Sequence, residues 1–270
     1  MARAVERIEQ DIAALLEASS AIAAELRSAY GSYLTTLGQA VRQQLILASY
    51  HLCTQGYPDA FRSLSFTQRQ QLQQAIRKLG QHGVDQLLAH TKTEDGNPGR
   101  WEPREMGSQG EDDPDLTPSP PHLSNPGFLA QWQQNLELAI AQTLKTLSRD
   151  TNRLLQQAGI LPKKLPEPLL EAAAKSETSA ESTAGPPNLL NLLIENENEE
   201  SEDSTVTQII AIHLRLSEIE FADAMVRTGR NKIRNLLLRA SSLGREYHKK
   251  QQEWAIAQAE AAWRSSWFEE

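Results

Sequence analysis

The side chains best equipped for chemistry in this chain are six histidines, one cysteine, a run of cations near the C-terminus and the tryptophans beyond it. A helical protein most often becomes an enzyme by holding a metal with inward carboxylates and Glu-x-x-His pairs. Here the residues three places before the histidines are Ala48, Leu79, Leu87, Ser119, Ile210 and Arg245, none of them acidic. There is no His-Glu-x-x-His, and a single cysteine, Cys53, excludes cysteine-rich zinc sites and an intrachain disulfide. No P-loop, no Gly-x-Gly-x-x-Gly and no Gly-x-Ser-x-Gly elbow occurs. The sequence therefore offers no catalytic, cofactor-binding or metal-ligating residue, and the expectation is a protein that is not an enzyme and has no small-molecule substrate. Cys53, His51 and His213 lie in apolar helical contexts and read as packed structural residues.

The cations are a better lead. Arg227, Arg230, Lys232, Arg234, Arg239, Arg245, Lys249 and Lys250 face only Glu246 in the same span. About six turns of helix with that excess could follow a nucleic-acid backbone or an anionic membrane surface. In a heptad frame the eight fall at b, e, g, b, g, f, c and d, so they wrap the helix. Pairing with acidic residues of another helix competes as an explanation. Glu9, Asp11 and Glu25 occupy e and g positions early in the chain, and Arg230, Lys232 and Arg239 occupy them late. Trp254 takes an a position, and Trp263 and Trp267 follow four residues apart on one face. Those two either pack on the N-terminal helices or anchor a partner protein or a membrane interface.

All of these residues must be carried by helices. The spacing predicts a helical domain over 1–90: an amphipathic helix over 2–29, a second over Leu34 to Thr54, and a third capped by Ser65 or Thr67. Gly56 and Pro58 mark the turn between them, Gly80 ends the third helix, and Val84 to Ala89 adds a short one. Residues 91–124, dense in proline, glycine and acid, read as a disordered linker. Asn125-Pro126 starts a middle amphipathic helix over 125–159, ending at Ala158-Gly159. Residues 160–204 read as a second acidic disordered linker, in which Asn188 to Ile194 is an apolar island: a short helix or a linear docking motif.

The last stretch, 205–270, reads as one long coiled-coil-like helix. Thr205 and Gln208 form a capping box, and the a positions are Ile212, Ile219, Val226, Ile233, Ala240, Tyr247 and Trp254. Ala240 to Gly244 is where it would bend, dividing a packing half from a recognition half. The net charge of −8 is uneven: 91–127 carries −5 and 160–204 carries −7, leaving the helical parts near neutral. With 39% apolar and 6% aromatic residues, the chain suits narrow helical seams more than one thick core.

Three segments, Tyr50 to Phe61, Thr67 to Ile76 and Arg245 to Trp267, resemble an uncharacterised family of cyanobacterial helical proteins. The resemblance implies at most a bacterial cytoplasm, close to internal membranes, and carries no activity or site residue over to this chain. The expected fold is all-α: a helical bundle domain plus a long C-terminal helix, with two disordered acidic linkers. The expected function is a non-enzymatic scaffold or adaptor in the cytoplasm, which would bind a protein partner or self-associate into a homo-oligomer. Ile219, Val226, Ile233, Leu236, Leu243, Tyr247, Trp254, Trp263 and Trp267 would form the contact. The alternative is a peripheral binder of anionic membrane or nucleic acid through 227–250 and the tryptophan tail.

Overall fold

The computed structural model describes residues 2–92, 126–162, 186–196 and 205–266. The class is all-α, as the periodicity implies: among the described residues one two-stranded sheet accompanies the helices. Of the linkers expected over 91–124 and 160–204, residues 93–124, 163–185 and 197–204 lie outside the described residues, as does the cap expected at Asn125, whereas residues 91 and 92 end a helix and Ile160 and Leu161 are buried.

α1 runs from Ala2 to His51, a single helix where two were expected, with Gly31 inside it. A methyl group at Gly31 would meet nothing within 4 Å, so this glycine answers no packing need. The helix ends in a π-helical turn over Leu52–Gly56, and α2 (Pro58–Ser63) follows with proline in its first turn. α3 (Phe66–Lys92) starts at the expected cap. The Ser65 N–H donates to Gln68 Oε1 at 2.8 Å, and the Gln68 N–H donates to Ser65 Oγ at 3.3 Å, a reciprocal capping box. It then runs unbroken through Gly80 and Gly83, so no separate helix begins at Val84. α4 (Pro126–Gln157) ends on Gly159, whose φ of 77° suits glycine. There the Ile160 N–H reaches back to the Leu155 carbonyl at 2.9 Å, and Gly159 N–H to Gln156 at 3.0 Å.

The apolar island is neither a short helix nor part of a linker. Leu189–Asn196 is a strand, β1, and Thr205–Ile212 is its antiparallel partner, β2. The register pairs Leu190 with Ala211 and Leu192 with Ile209. The capping box expected at Thr205 and Gln208 is therefore replaced by strand, because Val206, Thr207, Ile209, Ile210 and Ile212 are β-branched and prefer the extended backbone. A short helix, α5 (Leu216–Ala222), comes next, and α6 (Ala224–Ser266) carries the C-terminal cations and tryptophans. The continuous helix expected from residue 205 thus begins at Ala224.

Two compact units result, each drawn from distant parts of the sequence. The first comprises Met1–Ser32, Thr91–Glu137 and Gly229–Glu270; the second comprises Tyr33–His90 and Leu138–Thr228.

In the second unit α1 and α3 run antiparallel and close. A methyl on Gly38 would sit 3.1 Å from Val84 Cγ1, and one on Gly80 would sit 3.2 Å from Arg42 Cγ. Leu37, Val41, Leu45, Leu52 and Leu87 are fully buried there, with Ile140, Leu147 and Leu155 of α4. The hairpin is fastened by buried amides. Asn152 on α4 accepts the Ile212 N–H and donates to the Ile212 carbonyl, both at 2.9 Å, as a neighbouring strand would. Ser148 Oγ accepts the Leu214 N–H at 2.9 Å. Asn188, held at φ 60°, accepts Arg215 N–H on its side-chain oxygen at 3.0 Å and donates its own N–H to Glu218. Asparagine tolerates that left-handed backbone better than most residues.

Candidate functional site

α6 is the element onto which the sequence projected function, so its origin matters first. Asp223 has an extended backbone, and its Oδ1 accepts the N–H groups of Met225 at 2.8 Å and Val226 at 3.2 Å. That is an N-cap, and it separates α5 from α6. The helix is then continuous through Ala240–Gly244, where the sequence suggested a bend.

In the first unit α6 lies antiparallel to α1. Arg239 Nη1 donates to Glu25 Oε2 at 3.0 Å, Lys250 Nζ lies 3.0 Å from Asp11 Oδ2, and Trp254 Nε1 donates to Glu9 Oε1 at 3.1 Å. Each step down α1 matches a step up α6, the signature of one fixed antiparallel register. Lys250 also lies 3.1 Å from Glu253, and the two carboxylates raise the pKa of its ammonium. The charge complementarity read from the sequence is present in part. Glu25 meets Arg239, both among the residues so read, whereas Asp11 meets Lys250, Glu9 meets an indole and Lys232 is exposed.

Arg230 finds its partner on α4. Its guanidinium grips Glu137 by two bonds of 2.5 and 3.1 Å, and Tyr30 Oη donates to the same carboxylate at 2.6 Å. Burial and the Glu137 bond together raise the Tyr30 pKa. The Trp132 ring meets Tyr30 edge-on with centroids 5.4 Å apart. Sequence reading missed this knot because it weighed the cations of α6 only against acids of α1. The signal, Glu137 as the lone acid in the first turns of α4, was available.

The nine residues expected to make the contact scatter. Ile219 is buried on α5, off the long helix. Val226, Ile233, Leu236 and Tyr247 are buried within this chain. Leu243 and Trp254 are half-buried, Trp263 is 67% exposed, and Trp267 lies outside the described residues. The a/d seam before Gly244 is thus filled by the chain itself. Leu238, Ile256 and Trp263, at the outward f and c positions, are the large apolar side chains α6 leaves exposed after Val226.

The eight cations also sort themselves. Arg230, Arg239 and Lys250 are taken by Glu137, Glu25 and Asp11. Arg227, Arg234, Arg245 and Lys249, at b, b, f and c, are exposed, as is Lys232. Lys249 has Glu253 at 4.0 Å one turn on. The wrapped pattern in the sequence is two patterns superposed, one binding inward and one facing out.

Elsewhere in the second unit a cavity of about 290 Å³ opens between the end of α1 and α3, lined by Tyr50, Cys53, Phe61, Leu72, Ile76 and Arg77. Burial pushes the Cys53 thiol up to about 11, the opposite of what a nucleophilic cysteine requires. His51 is partly buried, with Nδ1 lacking a hydrogen-bond partner, and His213 is half-buried beside Arg215. Among the described residues no group of three or more His, Cys, Asp and Glu side chains is placed to hold a metal ion. No helix among them is long and apolar enough to cross a membrane.

No family model, no curated protein and no solved structure matches this chain.

Proposed function

We propose that this protein is a non-enzymatic helical scaffold or adaptor that recruits a protein partner through the distal half of α6. The observation that carries the reading is the outward apolar set on that half. Beyond Gly244 the helix keeps one inward seam, at the buried Tyr247 and at the half-buried Trp254, which bonds to Glu9 of α1. On its other side it presents Ile256, 54% exposed, and Trp263 at c positions two turns apart, with Ala259 exposed between them. Trp263, 67% exposed on the distal part of that helix, is suited to be an anchor, since aromatic side chains supply large contact area at low ordering cost. In this reading the protein works in the cytoplasm and needs no cofactor.

The test is capture of partners by the full chain and by a double variant, Ile256→Glu with Trp263→Glu. Both positions are exposed, so folding should be unaffected, and the expected result is loss of the captured protein. Capture that survives the double substitution, or a monomer that captures nothing, removes the reading.

A second reading has its own observation: Arg227, Lys232, Arg234 and Arg245 are exposed, whereas Arg230, Arg239 and Lys250 are taken by carboxylates of α4 and α1. Binding to anionic vesicles or DNA that falls steeply between low and physiological salt would support it. Binding that is absent or indifferent to salt removes it.

A further inference from the structure

The two edges of the β-hairpin are unequal. On the β2 side, the Ile210 N–H donates to Tyr57 Oη at 3.0 Å, and both main-chain groups of Ile212 are held by Asn152. These bonds fix which groups point outward. Ile210 and Ile212 face away from β1, so their partners Asn191 and Leu189 turn their own N–H and C=O groups away from β2. The same alternation brings Leu193 and Glu195 to that outer edge of β1. No main-chain bond beyond the hairpin is made there by Leu189 or Asn191 among the described residues. Asn191 is exposed.

Such an edge is a template for another strand, and proteins normally guard it with proline, lysine or a bulge. β1 has none of these: it reads Leu-Leu-Asn-Leu-Leu-Ile-Glu-Asn, and its register with β2 is unbroken. We infer that the free edge of β1 pairs antiparallel with β1 of a second copy of this chain, giving a four-stranded sheet across a twofold axis.

The sequence of β1 supports a second copy as the occupant. The outward groups sit at odd-numbered residues, so two copies must pair odd with odd. A twofold centred on Leu192 does this and uses nearly the whole strand. It sets Leu190 opposite Ile194 of the partner subunit, and Leu192 opposite Leu192 of the partner subunit. On the other face Asn191 meets Leu193 of the partner subunit, and Leu189 meets Glu195 of the partner subunit. Apolar residue types thus fall at opposed register positions around Leu192, and no like charges are opposed. A twofold contact of this kind needs only one self-complementary surface.

This surface is separate from the outward face of α6, so the two proposals fail independently. The full-length protein should sediment as a dimer. Asn191→Pro should make it monomeric with an unchanged far-ultraviolet spectrum, because the N–H that proline removes is not used inside the hairpin. In a Cys53→Ala background, Leu192→Cys should form an intermolecular disulfide. Residue 192 turns its main-chain groups toward β2, so the two copies would meet there in a non-hydrogen-bonded pair, whose Cα separation of about 4.5 Å suits a disulfide. Adding Asn191→Pro should abolish that cross-link. A monomer at every concentration overturns the inference. So does a dimer that survives Asn191→Pro and dissociates with Ile256→Glu and Trp263→Glu, an outcome that leaves the α6 reading standing. Should Asn191→Pro disturb folding, the cross-link decides: its absence in Leu192→Cys overturns the inference.

Discussion

α1 contributes to both units, and its two ends are treated differently. In the second unit Leu34, Leu37, Val41 and Leu45 have no exposed surface. In the first, Val5, Ile8, Ile12, Leu15 and Leu16 are all half-buried, and complete burial of apolar side chains starts only at Ile22. Both ends carry apolar residues at helical spacing, so the difference lies in how many surfaces surround them. Residues 33–51 share their unit with α3, α4 and the hairpin. Near the N-terminus the register identifies α6 as a neighbour, and the stripe one helix covers is narrow. Stability in the second unit should therefore rest on close packing and satisfied buried amides. In the first it should rest on one buried ion-pair knot and a row of exposed pairs of small individual worth.

The largest expected effect tests the amide side of that contrast. Asn152→Ala strands the N–H and the C=O of Ile212 in a buried place. An unsatisfied buried group costs about 1–3 kcal/mol, so the pair should cost roughly 2–5 kcal/mol. Urea unfolding monitored by circular dichroism measures it. A loss below about 1 kcal/mol would mean that water replaces the amide and that the hairpin is not fastened there.

In the first unit Arg230 is the counterpart. Its side chain is 11% exposed, and Arg230→Ala leaves Glu137 with Tyr30 as its remaining partner in the knot. A cost of roughly 1–3 kcal/mol is expected, below that of a fully buried pair because Glu137 is 25% exposed. Arg239→Ala, which breaks the exposed pair with Glu25, should cost at most about 1 kcal/mol and less in high salt. Equal losses from the two variants would erase the distinction between knot and row.

Glycine substitutions sharpen the packing side. At Gly83 a methyl would lie 2.4 Å from Cδ1 and 2.9 Å from Cδ2 of Leu147, a buried side chain with little room to move. Overpacking at about 1–3 kcal/mol outweighs the ~1 kcal/mol helix gain, so Gly83→Ala should destabilise. Gly31→Ala meets nothing and should stabilise by about 0.5–1 kcal/mol. Thermal unfolding of the two variants should shift in opposite directions.

These contrasts also show what could be read from the sequence. Local signals were legible: the Ser65–Gln68 capping box, the turn at Gly56 and Pro58, and the Gly159 stop each act within a few residues. The strand at Thr205 was obscured because Ile212 and Ile219 happened to extend the heptad of α6 backward. Two coincident positions outweighed a β-branched run. Asp223 is a good N-cap residue, but the apolar stripe runs across it, and the stripe was followed. The outward face of α6 could not be read at all until Glu137, Glu25 and Asp11 had claimed their cations. That depends on which helices meet, which local spacing does not encode. Asn152 and Asn188 were invisible for the same reason, since their partners lie some 60 and 30 residues away.

Mild acid offers the most selective probe of the comparison. Burial lowers the pKa of His213, with a further push from Arg215 against a smaller pull from Glu218, and burial alone lowers that of His90. Both belong to the second unit, where His90 lies 3.2 Å from Thr143 Oγ1. A histidine with a depressed folded pKa binds fewer protons folded than unfolded once pH drops below its ordinary value near 6.5. Stability therefore declines as pH falls below that value, and the decline ends at the folded pKa. Amide exchange on the full chain should show protection weakening between pH 7 and 5 at Asn152, Ile212 and Leu214, after correction for the intrinsic rate. His213→Gln should flatten that dependence. Protection along α6 near Arg230 should change less over the same interval, since His90 and His213 both lie in the other unit. A uniform loss of protection along α1, α4 and α6 would show the two units unfolding as one under acid, and the contrast drawn between them would not describe how the protein responds.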